Sequence, residues 1–349
     1  MKKYFFNAVL LLTAMIFSGC SLAGGGATTG TMGGVMRSAD YGSSWEMKNK
    51  VDEKRSISSV DVLSIATDPL EMNKIYLGTK KNGILISKDN AESWESLSFP
   101  AVNNVYGLAI NHFDPSIIFA SCSLEGRGKI FKTQDSGENW EEIYTEPSKG
   151  TYITAMSLNK NNPGEIFVGT NKGVILKSVD GGISWNNLYS SDGAVAKIIF
   201  SEDSEGRVYF LIYQKGIFVS DRNGEEFKKL SIINKSVGAP EIYSIEVDKN
   251  IEGVIYVGTN KGLFKSFDFG ETFEELDTIA SSREFPVRAV AVNPFNPSEI
   301  IYSVAQAMYR SVDGGEEWST FQLGSVKNVS QIEFNKNNPG VVFAGLRNF

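Results

Sequence analysis

The sequence has 349 residues, of which 42% are hydrophobic and 21% charged, so a sizeable core can be buried. Its formal net charge is −7, which argues against nucleic acid as a partner. The 34 glycines against 10 prolines indicate many tight turns.

The chain begins with a segment typical of bacterial secretion. Two lysines at positions 2 and 3 precede a mostly apolar stretch, residues 5–17, that is short for a membrane span. Residues 17–20, with the sequence FSGC, are similar to a lipobox, in which the cysteine receives a diacylglyceryl group. Phe17 replaces the usual leucine. We predict a lipoprotein signal peptide over residues 1–19 and lipidation of Cys20; the alternative is an ordinary signal peptide with a chance cysteine.

Residues 20–32 are rich in glycine and threonine, which predicts a flexible tether between the membrane and the folded body, residues 33–349. Ser21 stands where an aspartate retains lipoproteins in some inner membranes. The predicted location is therefore extracytoplasmic and lipid-anchored, with the outer membrane favoured if the host has one. Once Cys20 is lipidated, Cys122 has no disulfide partner, and its apolar surroundings predict a buried thiol.

One octet recurs seven times after the tether: Ser or Thr, then Asp two residues later, Gly two after that, and an aromatic residue three further on. Its aspartates are Asp40, Asp89, Asp135, Asp180, Asp268 and Asp313, and its aromatic residues are Trp45, Trp94, Trp140, Trp185, Phe227, Phe273 and Trp318. Ala91 replaces glycine in the second copy. Arg222 replaces aspartate in the fifth copy, with Asp221 one place early, so a differently connected turn is expected there. Copies start 42 to 49 residues apart, close to the spacing of propeller repeats.

This octet resembles the Asp-box, or BNR, repeat of sialidase-like propellers, sortilin-like domains and photosystem II assembly factors. The resemblance and the four short strands of each repeat predict an all-β fold, a seven-bladed propeller of four-stranded antiparallel blades. Residues 33–47 supply two strands and residues 328–349 two more, so we expect the chain ends to share one blade and close the ring. Because the aspartates are scattered, we interpret them as structural turn residues rather than catalytic or metal-binding ones.

Basic residues recur in the turns between second and third strands, which should share one rim of the propeller. These residues, Lys81, Arg127, Lys172, Lys215, Lys261 and Arg347, form with the link residues Arg283, Phe285 and Arg288 the candidate partner-binding set. An acidic or anionic partner is the functional interpretation. The alternatives are that the lysines are solvated turn residues and that the link is a surface segment with self-paired charges. The links also contain Tyr106, Tyr152 and Tyr243.

No evident set of residues in the sequence indicates catalysis. The arginine-containing signature of sialidases is absent, His112 is the single histidine, and all five tryptophans occupy box positions. Some Asp-box endoglucanases place acid and base on two facing propellers, and we expect one propeller here. We therefore predict a membrane-anchored scaffold that docks a protein on one propeller face, without enzymatic activity, cofactor or metal. A glycan-directed glycoside hydrolase or lectin is the alternative, and paired carboxylates stay open as a feature of it.

Overall fold

A computed structural model describes residues 33–203, 205–221, 224, 226–232, 239–279 and 285–349. The predicted signal peptide, Cys20, the tether and Arg283 lie outside these residues. Within the described ranges the chain forms 28 β-strands and no helix. Accordingly, no helix among them has the length and apolar character needed to cross a bilayer.

The strands form seven four-stranded antiparallel sheets, so the predicted fold class, a seven-bladed β-propeller, is confirmed. In chain order the strands are β1 (Gly34–Ser38), β2 (Glu46–Met47), β3 (Val62–Thr67), β4 (Ile75–Thr79), β5 (Ile84–Ser87), β6 (Glu95–Ser96), β7 (Val105–Ile110), β8 (Ile118–Leu124), β9 (Arg127–Thr133), β10 (Glu141–Thr145), β11 (Ile153–Asn159), β12 (Asn162–Thr170), β13 (Val174–Ser178) and β14 (Asn186–Ser190). They continue as β15 (Val195–Phe200), β16 (Val208–Ile212), β17 (Gly216–Ser220), β18 (Phe227–Lys229), β19 (Ile242–Val247), β20 (Ile255–Thr259), β21 (Leu263–Ser266), β22 (Glu274–Glu275), β23 (Val287–Asn293), β24 (Asn296–Val304), β25 (Ala307–Ser311), β26 (Ser319–Gln322), β27 (Asn328–Phe334) and β28 (Val342–Arg347). Blades 1 to 6 each take four consecutive strands, starting with β3.

The seventh blade combines strands from both ends of the described chain. Its order is β2-β1-β28-β27, and β1 pairs with β28 from Gly34 opposite Leu346 to Ser38 opposite Val342. Val35 and Met36 in β1 are buried, in clusters that also contain residues of the C-terminal strands. The first strand of the chain is therefore an integral part of the core.

The core lies between neighbouring blades. Second strands such as β4, β16 and β20 are buried at every position. They are covered on both faces, so their sequences are apolar runs rather than alternating patterns. Fourth strands such as β6 and β22 are fully exposed. The box aromatic residue at the start of the fourth strand reaches inward; Trp94, for example, packs against β1 and β28 residues.

The Asp-box turns connect third and fourth strands through a shared set of hydrogen bonds. Asp180 Oδ1 accepts bonds from Ser178 Oγ at 2.8 Å and from the Ser184 amide at 2.9 Å, while Ser178 Oγ accepts one from the Gly182 amide at 2.9 Å. Gly182 has a φ of 93°, and a Cβ there would lie 2.4 Å from a side-chain carbon of Ile143 in the previous blade. The boxes of Asp40, Asp89, Asp135, Asp268 and Asp313 share this pattern.

The fifth box has different hydrogen bonds. Asp221 Oδ1 accepts the bond from the Gly224 amide at 2.9 Å, and Ser220 Oγ donates to the Asp221 carbonyl oxygen at 3.0 Å. The early aspartate thus takes over the role that the serine hydroxyl has elsewhere. In all blades the strands alternate in direction, so the box turns lie at one end, and the turns between second and third strands lie at the other end with the inter-blade links.

Candidate functional site

Every first strand carries a β-bulge near its start. The register with the second strand shifts between Val62 and Ser64 in blade 1, and at the equivalent position in the other six blades. A bulge leaves one residue unpaired and re-aims its side chain. The seven residues, which we call the bulge ring, are Leu63, Tyr106, Thr154, Ala196, Tyr243, Arg288 and Ser330, and all of them line the central cavity.

The first strands enclose a central cavity of about 670 Å³, a volume typical of small-ligand sites. Two residues from the end of the described chain, Arg347 and Phe349, also line it. At the end where first strands begin, Tyr106, Tyr243, Arg288, Arg347 and Phe349 lie together, and we call this group the channel mouth. The mouth belongs to the end of the propeller opposite the Asp-box turns.

Two guanidinium groups of the channel mouth contact the same aromatic ring. The Cζ atoms of Arg288 and Arg347 lie 4.1 and 4.2 Å from the ring centroid of Phe349. Arg288 also lies 5.1 Å from the ring centroid of Tyr243, whose hydroxyl donates a hydrogen bond to Glu241 Oε2 at 2.8 Å. Cation–π attraction holds this cluster together.

Burial disfavours the charge of both arginines. It lowers the pKa of Arg288 and of Arg347, and the neighbouring Arg288 charge lowers the pKa of Arg347 further. Both remain charged, since arginine starts far above neutral pH. The mouth is therefore positively charged and partly desolvated.

A carboxylate at the edge of the mouth is already paired. Asp61 Oδ1 accepts hydrogen bonds from Lys327 Nζ at 2.8 Å and from the Asn348 amide at 3.2 Å. Burial acts to raise the pKa of Asp61, but the bonds from Lys327 and Asn348 outweigh it and hold the pKa below the usual value. Burial raises the pKa of Tyr106, whose hydroxyl accepts a bond from Asn104 Nδ2 at 2.9 Å.

The predicted basic residues do not form one continuous rim. Lys215 pairs with Asp192 at 2.7 Å, and Arg127 donates to the carbonyl oxygens of Glu146 and Pro147. Lys81 and Lys172 are exposed, Lys261 is half-buried, and Phe285 is exposed next to the mouth strand β23. Of the candidate set, the structure brings Arg288 and Arg347 together.

No sequence motif marks Phe349, or the small bulge residues Thr154, Ala196 and Ser330. The bulge residues recur 42 to 48 positions apart, and this regular spacing is the feature of the sequence that could have located them. Metal ligands are not grouped either: within the described ranges, no three His, Cys, Asp or Glu side chains are placed to hold an ion.

Comparison with known families supports the repeat assignment. The family model described as "Sortilin, neurotensin receptor 3" matches residues 33–173, which include the first three octets. The chain is an Asp-box β-propeller. Along its sequence, this Asp-box propeller is 28% identical over 307 residues to Xyloglucanase Xgh74A of Acetivibrio thermocellus, a match that covers 74% of the propeller chain and 32% of the relative.

Solved structures share the fold. The GH74 xyloglucanase from Xanthomonas campestris superposes with a TM-score of 0.68 at 15% identity, covering 82% of this chain and 51% of that one. YCF48 from Cyanidioschyzon merolae superposes with a TM-score of 0.64 at 17% identity, covering 82% and 95%. The Asp-box propeller spans only 11% to 32% of the curated relatives that it matches.

The prediction of a protein-docking scaffold is wrong. The curated relatives are xyloglucanases, which are glycoside hydrolases, and solved GH74 enzymes share the fold, so the glycan-directed alternative is favoured. A lack of tryptophans outside the boxes does not exclude sugar binding, because tyrosine and phenylalanine rings can also stack on sugars. The Asp-box propeller instead gathers Tyr106, Tyr243 and Phe349 at its channel mouth.

Proposed function

We propose that this Asp-box propeller is directed at glycans and binds a β-glucan of the xyloglucan type at the channel mouth, as part of a glycoside hydrolase function. The observation that carries the proposal is the sequence match to a xyloglucanase over 74% of the chain. The match covers 32% of that longer relative, so we propose the activity for this chain and test it below.

The shape of the mouth supports this function. Tyr106, Tyr243 and Phe349 offer aromatic rings, which stack on the apolar faces of pyranose rings, while polar groups nearby can bond sugar hydroxyls. The large bulge residues Tyr106, Tyr243 and Arg288 come from blades 2, 5 and 6. Blades 3, 4 and 7 contribute the small Thr154, Ala196 and Ser330. The small residues leave space in which an extended saccharide can lie.

Hydrolysis of a glycosidic bond requires a protonated carboxyl group and a second, charged carboxylate. Asp61 is held ionised by Lys327 and Asn348, which excludes it as the proton donor and suits it to a charged role. Glu241 accepts a hydrogen bond from Tyr243.

Binding is tested by isothermal titration of xyloglucan oligosaccharides, with β-1,3-glucan oligosaccharides as the comparison glycan. Tyr106→Ala and Tyr243→Ala should each weaken binding about tenfold, because each removes a stacking ring. Tyr41→Ala is the matched control: Tyr41 is 44% exposed and lies in the first Asp-box turn, at the opposite end of the propeller.

Cleavage is tested on the same oligosaccharides by the release of new reducing ends. The proposed function predicts binding of xyloglucan over the β-1,3-glucan, loss of affinity in the two mouth variants, and reducing-end release. A parent protein that binds no xyloglucan, or mouth variants that bind as well as Y41A, would contradict the proposal.

A further inference from the structure

The two arginines of the channel mouth have no ion-pair partner among the described residues, although the more distant charge of Asp61 acts on Arg347. Two other cations at this end of the propeller have an ion-pair partner: Lys327 lies 2.8 Å from Asp61, and Lys215 lies 2.7 Å from Asp192. No carboxylate of the described residues lies within ion-pair distance of Arg288 or Arg347. Both guanidinium groups instead lie against the ring of Phe349.

The position of these arginines makes the lack of an ion-pair partner costly. Arg347 is half-buried, and its Nε is a buried donor with no hydrogen-bond partner in the described structure. Arg288 lies close enough to repel it. A desolvated charge without a partner is unfavourable, and an unmade bond of a charged donor is more costly than that of a neutral one. An anion bound by both groups would relieve both penalties.

The chemistry of the cluster selects a carboxylate carried by a sugar. A guanidinium fork matches the two oxygens of a carboxylate and forms short, charge-assisted bonds with them. The rings of Phe349 and Tyr243, each in contact with an arginine, offer a stacking surface beside the charge. A uronate residue has both parts: an apolar pyranose face and a carboxylate on its C5 carbon, one bond away from the ring.

We propose that Arg288 and Arg347, which both contact the ring of Phe349, bind the carboxylate of a uronate residue, so that the channel mouth prefers an acidic glycan to a neutral one. This inference rests on the proposed function and makes its substrate class more specific. It predicts that the channel mouth binds a glycan with a carboxylate more tightly than a neutral glycan such as xyloglucan.

The test compares two cello-oligosaccharides of equal length, one neutral and one oxidised at C6 to glucuronate. The oxidised probe should bind the parent protein about tenfold more tightly at low salt, because charge-assisted bonds are added to the same stacking contacts. The preference should shrink as the ionic strength rises. Titration calorimetry gives both affinities, and their ratio is the quantity that matters.

Arg288→Gln and Arg347→Gln should each reduce the ratio of affinities toward one. Arg347→Lys keeps the charge but loses the planar fork, so its ratio should fall between those of R347Q and the parent. Lys149→Gln removes the same charge from an exposed residue in the link between blades 2 and 3 and should keep the parent ratio. Melting curves show which variants fold, and R288Q serves as the test if R347Q does not.

The outcomes separate the inference from the proposed function. If the parent binds xyloglucan and both cello-oligosaccharides but shows no preference for the oxidised one, the acidic site is overturned and the glycan function stands. If the parent binds none of them, both fall. An acidic peptide of glutamates that binds more tightly than the oxidised oligosaccharide also overturns the uronate site, in favour of a protein ligand.

Discussion

Ser330 Oγ donates a hydrogen bond to the carbonyl oxygen of Val62 at 3.1 Å, although the two residues are 268 positions apart in the sequence. Val62 immediately precedes the bulge residue of blade 1. In four other blades the carbonyl oxygen at this same position accepts a hydrogen bond from a hydroxyl group of the preceding blade. The donor and acceptor pairs are Ser64 and Val105, Ser121 and Ile153, Thr154 and Val195, and Ser244 and Val287. A belt of hydroxyl groups thus joins neighbouring blades at five junctions around the channel, including the junction where the ring closes.

Gln331 adds two bonds at this junction. Its Oε1 accepts from the Ile65 amide at 2.9 Å, and its Nε2 donates to the Leu63 carbonyl oxygen at 2.9 Å. Gln331→Ala should lower the free energy of unfolding by about 1–3 kcal/mol, since two backbone groups lose their partner. Urea denaturation measures this. Gln306→Ala, which truncates an exposed glutamine, is the control, and equal stability of the two variants would show that the Gln331 amide does not stabilise the junction.

Deletion of residues 33–47 removes β1 and β2 from the shared blade. Val35 and Met36 leave their buried clusters, and β28 becomes an unpaired edge strand. We expect aggregation or unfolding, because an exposed edge beside an open core recruits other chains. Light scattering and melting curves measure this. A peptide of residues 33–47, added in trans, should restore the monomer, and a truncated protein that melts like the parent would contradict ring closure by β1.

Acid should destabilise the protein through its Asp-boxes. Hydrogen bonds from the Ser184 side chain, the Ser184 amide and Ser178 lower the pKa of Asp180 from 3.8 to about 2. A carboxyl whose pKa is lower in the folded state adds stability at pH values above its unfolded pKa, and this stability is lost as the pH falls through the folded pKa. The loss should therefore lie between about pH 5 and about pH 2.

The Asp180→Asn variant tests this relationship, with Asp135→Asn as a second box whose aspartate also has a pKa of about 2. Each variant should melt at a lower temperature than the parent at neutral pH, and its melting temperature should fall less on acidification. Parallel curves for parent and variants over the acid range would be evidence against the boxes as the acid-sensitive groups.

Cys122 should be chemically inert in the folded protein. It is fully buried in β8, and burial raises the pKa of its thiol to about 12, whereas the thiolate is the reactive form. In a Cys20→Ser variant, which retains Cys122 as its single thiol, iodoacetamide should label the denatured chain and leave the folded chain unmodified. Mass spectrometry of the Cys122 peptide measures this, and labelling of both states at the same rate would refute it.

The sequence predicts the blades well because the Asp-box is a local structure. Ser178, Asp180, Gly182 and Ser184 form their hydrogen bonds within a single turn, so a short pattern reveals each copy. The number of copies then gives the number of blades. The departure in the fifth copy was also visible, because Asp221 stands one place early.

The candidate site is less predictable because it depends on long-range placement. A bulge arises from the pairing of two strands, and residues as different as Leu63, Ala196 and Arg288 occupy it, so no residue type marks it. The ion pair of Lys215 with Asp192 likewise depends on the fold, because the two residues are 23 positions apart in the sequence. Residue type alone therefore overstated the basic rim, and it could not show that Arg288 and Arg347 share the ring of Phe349.

The bulge ring contains side chains that line the channel but are not needed to hold their blades together. In blades 1, 2, 4, 5 and 6, the bulge side chain has no share in the hydroxyl belt and takes no paired position in its sheet. Exchanging such a side chain alters one sector of the channel wall and leaves the blade intact. Propellers of this build can therefore diverge in what they recognise by point substitution at a few fixed positions, without loop insertion or rearrangement of the scaffold.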